Sequence, residues 1–348
     1  EVASDNILLK KSTEGKNILV SGAGGSIGRE LCIQILKNNP NNLILVDHNE
    51  LGIFNIFNDL EKIKFEENLS SEITPLLCNI CDINSLRDIF ENKTLDTIYH
   101  AAAYKHVEMV EKNLIAGLKN NIFGTLNLCN LSEEFNIKNF ILISSDKAVN
   151  STNIMGASKR MAEMILLSRI SSAKTTYSMV RFGNVLNSSG SVITLFRKQI
   201  SHGGPVKVRD VEATRYFMTI EEAASLVIQA GAMAEGGDIF ILEMGKPVKI
   251  LDLAKKMIEL SGMKLKDELN PDGDIEIEIT KLNSGEKLHE ELFLGKNISN
   301  TEHPKILRAN EQNISYEIIN KKITELENDI LENDQEKAKK LIFQIIQN

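Results

Sequence analysis

The stretch Gly22-Ala23-Gly24-Gly25-Ser26-Ile27-Gly28 constrains this chain more than any other, because of what stands on either side of it. The apolar segment Asn17–Ser21 precedes it, and residues 27–37 carry apolar side chains at helical spacing. A strand that passes into a helix through Gly22, Gly25 and Gly28 must turn tightly and let helix pack closely on strand. It also leaves backbone N–H groups at the helix amino end, where the helix dipole favours an anion. This opening commits the first part of the chain to strands joined by helical crossovers.

The rest of the sequence keeps that rhythm. Strands are predicted at 17–21, 43–47, 73–77, 97–100, 139–144, 177–181 and 239–242, each a continuous apolar run of the kind buried on both faces. Helical spacing falls between them, as at 27–37, 114–130 and 158–169. The expected fold class is α/β: a Rossmann-type doubly wound parallel sheet with a smaller C-terminal substrate lobe. The sheet domain is expected over 1–185, with 216–245 returning to it, and the lobe over 186–215 and 246–310. The lobe should hold a helix at 250–260 and a strand at 275–279. A charged, striped segment at 311–348 reads as C-terminal helices. A length of 348 residues suffices for this, and the net charge of −8 argues against a nucleic-acid partner. No apolar run approaches the ~20 residues that span a bilayer. The chain starts at Glu1 without Met, which reads as a fragment of a longer protein. Of the four cysteines, Cys78 and Cys81 form a lone C-x-x-C with no second pair, so no metal site is expected and a cytoplasmic setting fits.

Asp47 ends the second strand about 20 residues after the glycines, where a carboxylate accepts both hydroxyls of an adenosine ribose and repels a 2′-phosphate. Asn79 and Ile80 follow the third strand and would line the adenine pocket. Ala101 and Ala102 follow the fourth, small enough for close approach of a dinucleotide. With Gly22, Gly25, Ser26, Ile27 and Gly28, these residues point to NAD rather than NADP as cofactor.

The segment Asn153-Ile154-Met155-Gly156-Ala157-Ser158-Lys159-Arg160 has the frame of a short-chain dehydrogenase active-site helix, with Met155 where a tyrosine is expected. A tyrosine there, one turn before Lys159, would be the proton acceptor for a substrate hydroxyl, and a thioether cannot take its place. None of the five tyrosines is followed four residues later by a lysine. Just upstream, Ser144-Ser145-Asp146-Lys147 offers an acid and a base instead.

Together with HAAAYKHV at 100–107, NIFGT at 121–125, VRFGNVLNSSG at 180–190, TRYFMT at 214–219 and GEKLHEELF at 285–293, these segments resemble the nucleotide-sugar 4,6-dehydratases of the extended short-chain dehydrogenase superfamily. The closest resemblance is to the polysaccharide-biosynthesis branch acting on UDP-N-acetylglucosamine. It covers roughly residues 16–308. It implies that NAD oxidises C4 of the sugar, a base removes the acidified C5 proton, an acid expels the C6 hydroxyl as water, and the hydride returns to C6. By resemblance Asp146 is the acid, needing a raised pKa, and Lys147 the base, needing a lowered one. Ser145 would relay the C4 proton, Lys159 would bind the nicotinamide ribose, and Met155 would pack near the sugar. Lys105, His106, Asn184, Val192, Arg215 and Glu286 are the implied substrate contacts, Arg215 as a phosphate clamp and Glu286 at the uridine ribose. The Met-containing branch resembles large membrane-anchored enzymes that retain configuration at C5. The whole protein would then sit at the cytoplasmic face of the inner membrane, with no membrane contact by this fragment, and pair as a homo-oligomer.

The chain departs from that pattern in four places. Asn283-Ser284 stand where Arg-Pro is usual, which removes a second phosphate arginine and leaves Lys281 or Lys287 to substitute. Asn187 stands where Gly is usual, and Ser151 and Thr194 where Pro is. Two other readings compete. A UDP-sugar epimerase shares the cofactor cycle but needs no acid at C6 and leans on the tyrosine. A non-catalytic NAD-sensing scaffold would have no reason to keep Asp146, Lys147 and Lys159 together.

Overall fold

The computed structural model describes residues 5–171, 173–293, 297–311 and 314–347; Glu1 lies outside the described residues. It divides into two compact units. The first holds the described residues up to Phe182, Glu221–Glu243, and those from Leu292 on; the second holds Gly183–Ile220 and Met244–Glu291.

A nine-stranded sheet organises the first unit. Its strands are β1 (Asn17–Ser21), β2 (Asn42–Asp47), β3 (Glu72–Leu77), β4 (Thr97–His100), β5 (Asn139–Ile143), β6 (Thr176–Arg181), β7 (Asp238–Leu242), β8 (Ile298–Asn300) and β9 (Ile306–Ala309). The spatial order is β8-β9-β7-β6-β5-β4-β1-β2-β3. Strands β1 to β7 run parallel, with the order reversing between β1 and β4, which is where ligands bind in open sheets of this kind. The doubly wound expectation holds, including the placement of its seven strands. Two elements differ. Strands β8 and β9, in a range expected to belong to the lobe, pair antiparallel at the edge of the main sheet, where Ile306 and Ala309 become buried against β7. Strand β3 is not buried on both faces: it is the opposite edge strand, and Leu77 is exposed.

The helices of this unit include α1 (Asn6–Thr13), α2 (Ser26–Lys37), α3 (Glu50–Glu66), α4 (Ile83–Asn92), α5 (Val107–Lys112), α6 (Leu114–Leu118), α7 (Gly124–Glu134) and α8 (Ile154–Arg169). The helix expected at 114–130 is not continuous. A π-helical turn, Lys119–Phe123, separates α6 from α7 and carries the buried Asn121. Every residue of α8 except Arg160 is buried, as fits a helix whose sequence is apolar nearly all round. The helices Tyr316–Leu331 and Gln335–Gln347 pack on it, sharing one core through Ile319, Ile323, Ile342 and Ile345.

The second unit has its own core, with Phe196, Ile200, Val206, Val208, Ile258 and Ile275 from two helices (Val192–Ser201 and Ile250–Leu260) and a three-stranded sheet. Among the described residues no helix is long and apolar enough to cross a membrane.

Candidate active site

The glycine turn owes its composition to steric necessity. A Cβ on Gly22 would lie 2.6 Å from the Ala102 backbone nitrogen, and one on Gly28 would lie 2.0 Å from the Gly22 carbonyl oxygen. The backbones of the β1 and β4 ends therefore touch at the point where the strand order reverses. Helix α2 opens on Gly25 without a side-chain cap, whereas α3, α4 and α8 are capped by Asn49, Asp82 and Asn153. No capping side chain stands between the α2 dipole end and an anion. Asp47 is fixed at the end of β2: its carboxylate accepts from the Gly24 N–H at 2.9 Å and the Asn49 N–H at 2.9 Å. Among the described residues no Lys or Arg pairs with it; His48 lies 3.7 Å away. A fixed carboxylate without a cation fits a ribose diol and repels a 2′-phosphate. Asn79 accepts from the Cys81 N–H, and Ile80 is buried against Gly124, whose added Cβ would fall 2.5 Å from the Ile80 Cδ1. The site thus fits a dinucleotide on its own geometry. The Cys78 thiol is buried and pushed up to about 11 by that burial.

Beyond β5 the chain forms one turn of 3-10 helix, Asp146–Ala148. Asp146 is fully buried. Its Oδ1 accepts from the Ser145 hydroxyl at 2.8 Å and from Lys147 Nζ at 2.9 Å, while its Oδ2 has no partner. A buried carboxylate oxygen costs about 1–3 kcal/mol unless a water or a ligand group reaches it. Lys147 is one-fifth exposed, so the pair opens outward on the lysine side. Helix α8 comes extremely close to this turn: a Cβ on Gly156 would lie 2.3 Å from the Lys147 carbonyl oxygen. Met155 is buried in the main core. Lys159 donates to the Ile143 carbonyl at 2.9 Å, and burial lowers its pKa to about 8. The two buried tyrosines are tied elsewhere, Tyr99 to Ser12 and Tyr177 to Cys129 and Glu133, and burial raises both.

Behind this turn lies a set of buried polar groups that the sequence reading did not single out. Ser144 donates to Glu163 at 2.6 Å, and Arg181 grips the same carboxylate through two contacts of 2.7 and 2.6 Å. Arg181 and Arg160 both reach Glu311 at 2.7 Å. Despite burial, the Arg181 guanidinium, with further help from Arg160 and Ser144, holds the Glu163 carboxyl at about 2. His100 bridges Ser21 and Thr125 at 2.6 and 2.9 Å, and burial drives it down to about 3, so it is a neutral brace between β1, β4 and α7. Asn121, on the π-turn, clasps the Tyr104 backbone at both N–H and C=O and donates to Ser158 at 2.9 Å. The signal for Glu163 was a lone acid inside an otherwise apolar helix face, matched by an arginine ending an apolar strand.

Lys105 and His106 do not begin a helix: they are exposed and precede α5, with His106 at its N-cap.

In the second unit, Asn184 opens the two-residue strand Asn184–Val185, and Val192 starts the helix capped by Ser191. Arg215 is not displayed to solvent. It is buried, and donates to the carbonyls of Thr214, Leu288 and Lys287 at 2.7–3.0 Å, with Glu286 at 3.4 Å. These contacts brace the 285–290 segment. Glu286 in turn is held by Arg209 as well as Arg215.

Residues 18–311 match the family described as polysaccharide biosynthesis protein. The chain belongs to that family. Its relatives include nucleotide-sugar dehydratases and epimerases of the extended short-chain dehydrogenase type. It is 46% identical over 297 residues to the capsular polysaccharide biosynthesis protein CapD of Staphylococcus aureus, covering 85% of this chain and 48% of that protein. The chain thus spans about half the length of that curated relative. It is 30% identical over 290 residues to the UDP-N-acetylglucosamine 4,6-dehydratase (inverting) of Campylobacter jejuni, covering 79% of this chain and 77% of that one. Among solved structures it is similar to Pen from Bacillus thuringiensis, with a TM-score of 0.75, 30% identity, and 87% and 91% of the two chains covered.

Three of the positions expected to depart from the resemblance have a local setting in the structure. Asn187 adopts a φ of 59°, a left-handed conformation that suits glycine and that asparagine tolerates. The Ser151 hydroxyl donates to the Lys147 and Ala148 carbonyls at 2.9 and 3.1 Å, closing the turn that carries Asp146 and Lys147. Thr194 lies in the first turn of its helix, where proline is tolerated, and its N–H donates to the Ser191 hydroxyl at 3.5 Å, a bond proline lacks.

Proposed function

We propose that the chain is an NAD-dependent UDP-N-acetylglucosamine 4,6-dehydratase that retains configuration at C5 and serves bacterial glycan biosynthesis. The observation that carries this reading is the Ser145-Asp146-Lys147 triplet beside a methionine. The Asp146 carboxylate is buried, takes two donors on Oδ1, and leaves Oδ2 bare. An epimerase has no use for an acid in that position.

The 22–28 turn, Asp47 and Lys159 would hold NAD, which when bound supplies a reversible two-electron exchange with C4 and then C6 of the sugar. The protein's own groups manage the protons. Ser145 takes the C4 hydroxyl proton as it passes its own to Asp146 Oδ1, the oxygen it already contacts. Lys147 enters the step as the neutral amine and Asp146 as the carboxylate, 2.9 Å apart. Asp146 gains the C4 proton through Ser145 and gives that proton to the C6 oxygen as water departs, while the amine of Lys147 takes the C5 proton and later returns a proton to C5. The two protons are thus carried by separate groups. Lys159, charged below its pKa of about 8, supplies a donor beside the β5 carboxyl end.

The test is incubation with UDP-N-acetylglucosamine followed by mass spectrometry. Loss of one water with a single solvent deuterium at C5 is expected, and the nucleotide released on denaturation should be NAD and not NADP. An isomeric product of unchanged mass would replace the dehydratase with an epimerase. Inversion at C5 would remove the stereochemical part alone.

A further inference from the structure

The rings of His48 and Tyr104 meet although their strands do not. Their centroids are 6.2 Å apart and their planes stand at 83°, an edge-to-face contact. His48 directly follows Asp47 at the end of β2, and Tyr104 lies four residues past the end of β4. Strand β1 lies between those two strands and pairs with both. Two strand spacings set the ends of β2 and β4 about 9–10 Å apart. Side chains from the two ends therefore touch only by reaching across the carboxyl end of β1, where the glycine turn begins. The chain leaving β4 already leans that way, since a Cβ on Gly22 would stand 2.6 Å from the Ala102 nitrogen.

Tyr104 is anchored, because Asn121 holds its backbone at both N–H and C=O. His48 is held less firmly, its Nδ1 standing 3.7 Å from the Asp47 carboxylate. Both side chains are partly in solvent. The pair thus bridges the turn whose N–H groups suit a pyrophosphate, with its outer side open to water. The chemistry gives such a bridge a use. In the cofactor cycle of dehydratases and epimerases alike, a hydride leaves the sugar and returns within one turnover. Loss of the reduced cofactor between the two steps would leave an oxidised sugar and an enzyme unable to finish. We propose that His48 and Tyr104 form a clasp over the cofactor turn, which must part before NAD or NADH enters or leaves. Tyr104 is its fixed half and His48 its moving half. This inference rests on NAD as the cofactor and holds for a dehydratase or an epimerase.

The test reads cofactor exchange without substrate. Protein loaded with NADH is mixed with excess NAD, and the loss of bound-NADH fluorescence gives the release rate; equilibrium titration gives Kd. Tyr104→Ala and His48→Ala should each speed release about 3- to 10-fold, the factor that an aromatic pair supplies. Kd should stay within about twofold of the parent, because a clasp slows entry and exit alike. Tyr104→Phe should release at the parent rate, because it keeps the ring. The double alanine variant should release no faster than either single one, since each change removes the same contact. The proposal is overturned if release is unchanged in both alanine variants. It is also overturned if Kd weakens as much as release quickens, because the rings would then be plain cofactor contacts. Effects that multiply in the double variant overturn it too, because the rings would then act separately. A failure to dehydrate UDP-N-acetylglucosamine would end the dehydratase reading and leave these rates untouched.

Discussion

Replacing Gly156 by alanine should destabilise the protein and slow it, although helix propensity alone favours alanine. In an unconstrained helix interior the change gains about 1 kcal/mol. Here the new Cβ would stand 2.3 Å from the Lys147 carbonyl oxygen and 3.2 Å from both the Lys147 carbonyl carbon and the Ser151 hydroxyl. Reaching an ordinary contact of roughly 3.5 Å requires a movement of about 1.2 Å. The nearest atom belongs to backbone, and the turn that holds it is tied down by Ser151. Helix α8 cannot retreat either, since it is buried on nearly every side. Overpacking of this kind costs about 1–3 kcal/mol or more, which outweighs the propensity gain. Thermal unfolding should therefore show a Tm lower by a few degrees. Displacement of the Lys147 backbone by about 1 Å should lower turnover by around 100-fold, measured as 4-keto sugar formed per bound NAD. A raised Tm with unchanged turnover would refute the claim that this contact fixes the catalytic turn.

Asp146→Asn and Lys147→Ala should each lower turnover by at least ~100-fold while bound NAD stays constant, and Lys147→Ala should also abolish deuterium entry at C5; near-normal turnover removes that residue from the mechanism. Met155→Leu should keep most activity because it conserves volume and apolarity, Met155→Tyr should not accelerate the enzyme, and Ser145→Ala should be damaging. A faster Met155→Tyr, or full turnover in Ser145→Ala, would end the serine relay. The fold lowers the Lys159 pKa from 10.5 to about 8, so the unfolded chain binds the extra proton between those values, and the parent should gain up to roughly 3 kcal/mol as pH rises through that window. Lys159→Met should lack the gain, and parallel denaturant titrations at pH 7 and 10 that show equal changes in the two proteins would contradict it.

The sheet was legible because its strands are written twice, once as apolar runs and once by the glycine turn that fixes the first crossover. What escaped was determined by partners distant in the chain. Strands β8 and β9 are short and ordinary in composition, and only pairing with β7 gives them a place in the main sheet. The break between α6 and α7 contains no glycine or proline, although Gly117 and Gly124 flank it; it accompanies the clasp of Asn121 on the Tyr104 backbone and Ser158. Arg215 donates to the Leu288 and Lys287 carbonyls, over 70 residues away in the chain, contacts that spacing does not disclose.

The loss of the tyrosine and the arrangement around Asp146 form one physical argument. A phenol on α8 can accept a substrate proton only if the fold supplies the cation that stabilises its anion, and Lys159 is still there to do so. With Met155 in place of the phenol, the C4 proton needs another acceptor within reach of an ionisable group. In the proposed reaction Ser145 would meet that need, since among the described residues it and Lys147 are the side chains that donate to Asp146. Both donors meet Oδ1, while Oδ2 has no partner among the described residues. One carboxylate could then receive through one oxygen and donate through the other, which is the order of events the proposed dehydration requires. The buried Arg181–Glu163 pair, reaching the turn through Ser144, keeps that geometry fixed. Breaking such a pair strands a charge at about 3–5 kcal/mol, so the strand end carrying the acid has little freedom to drift.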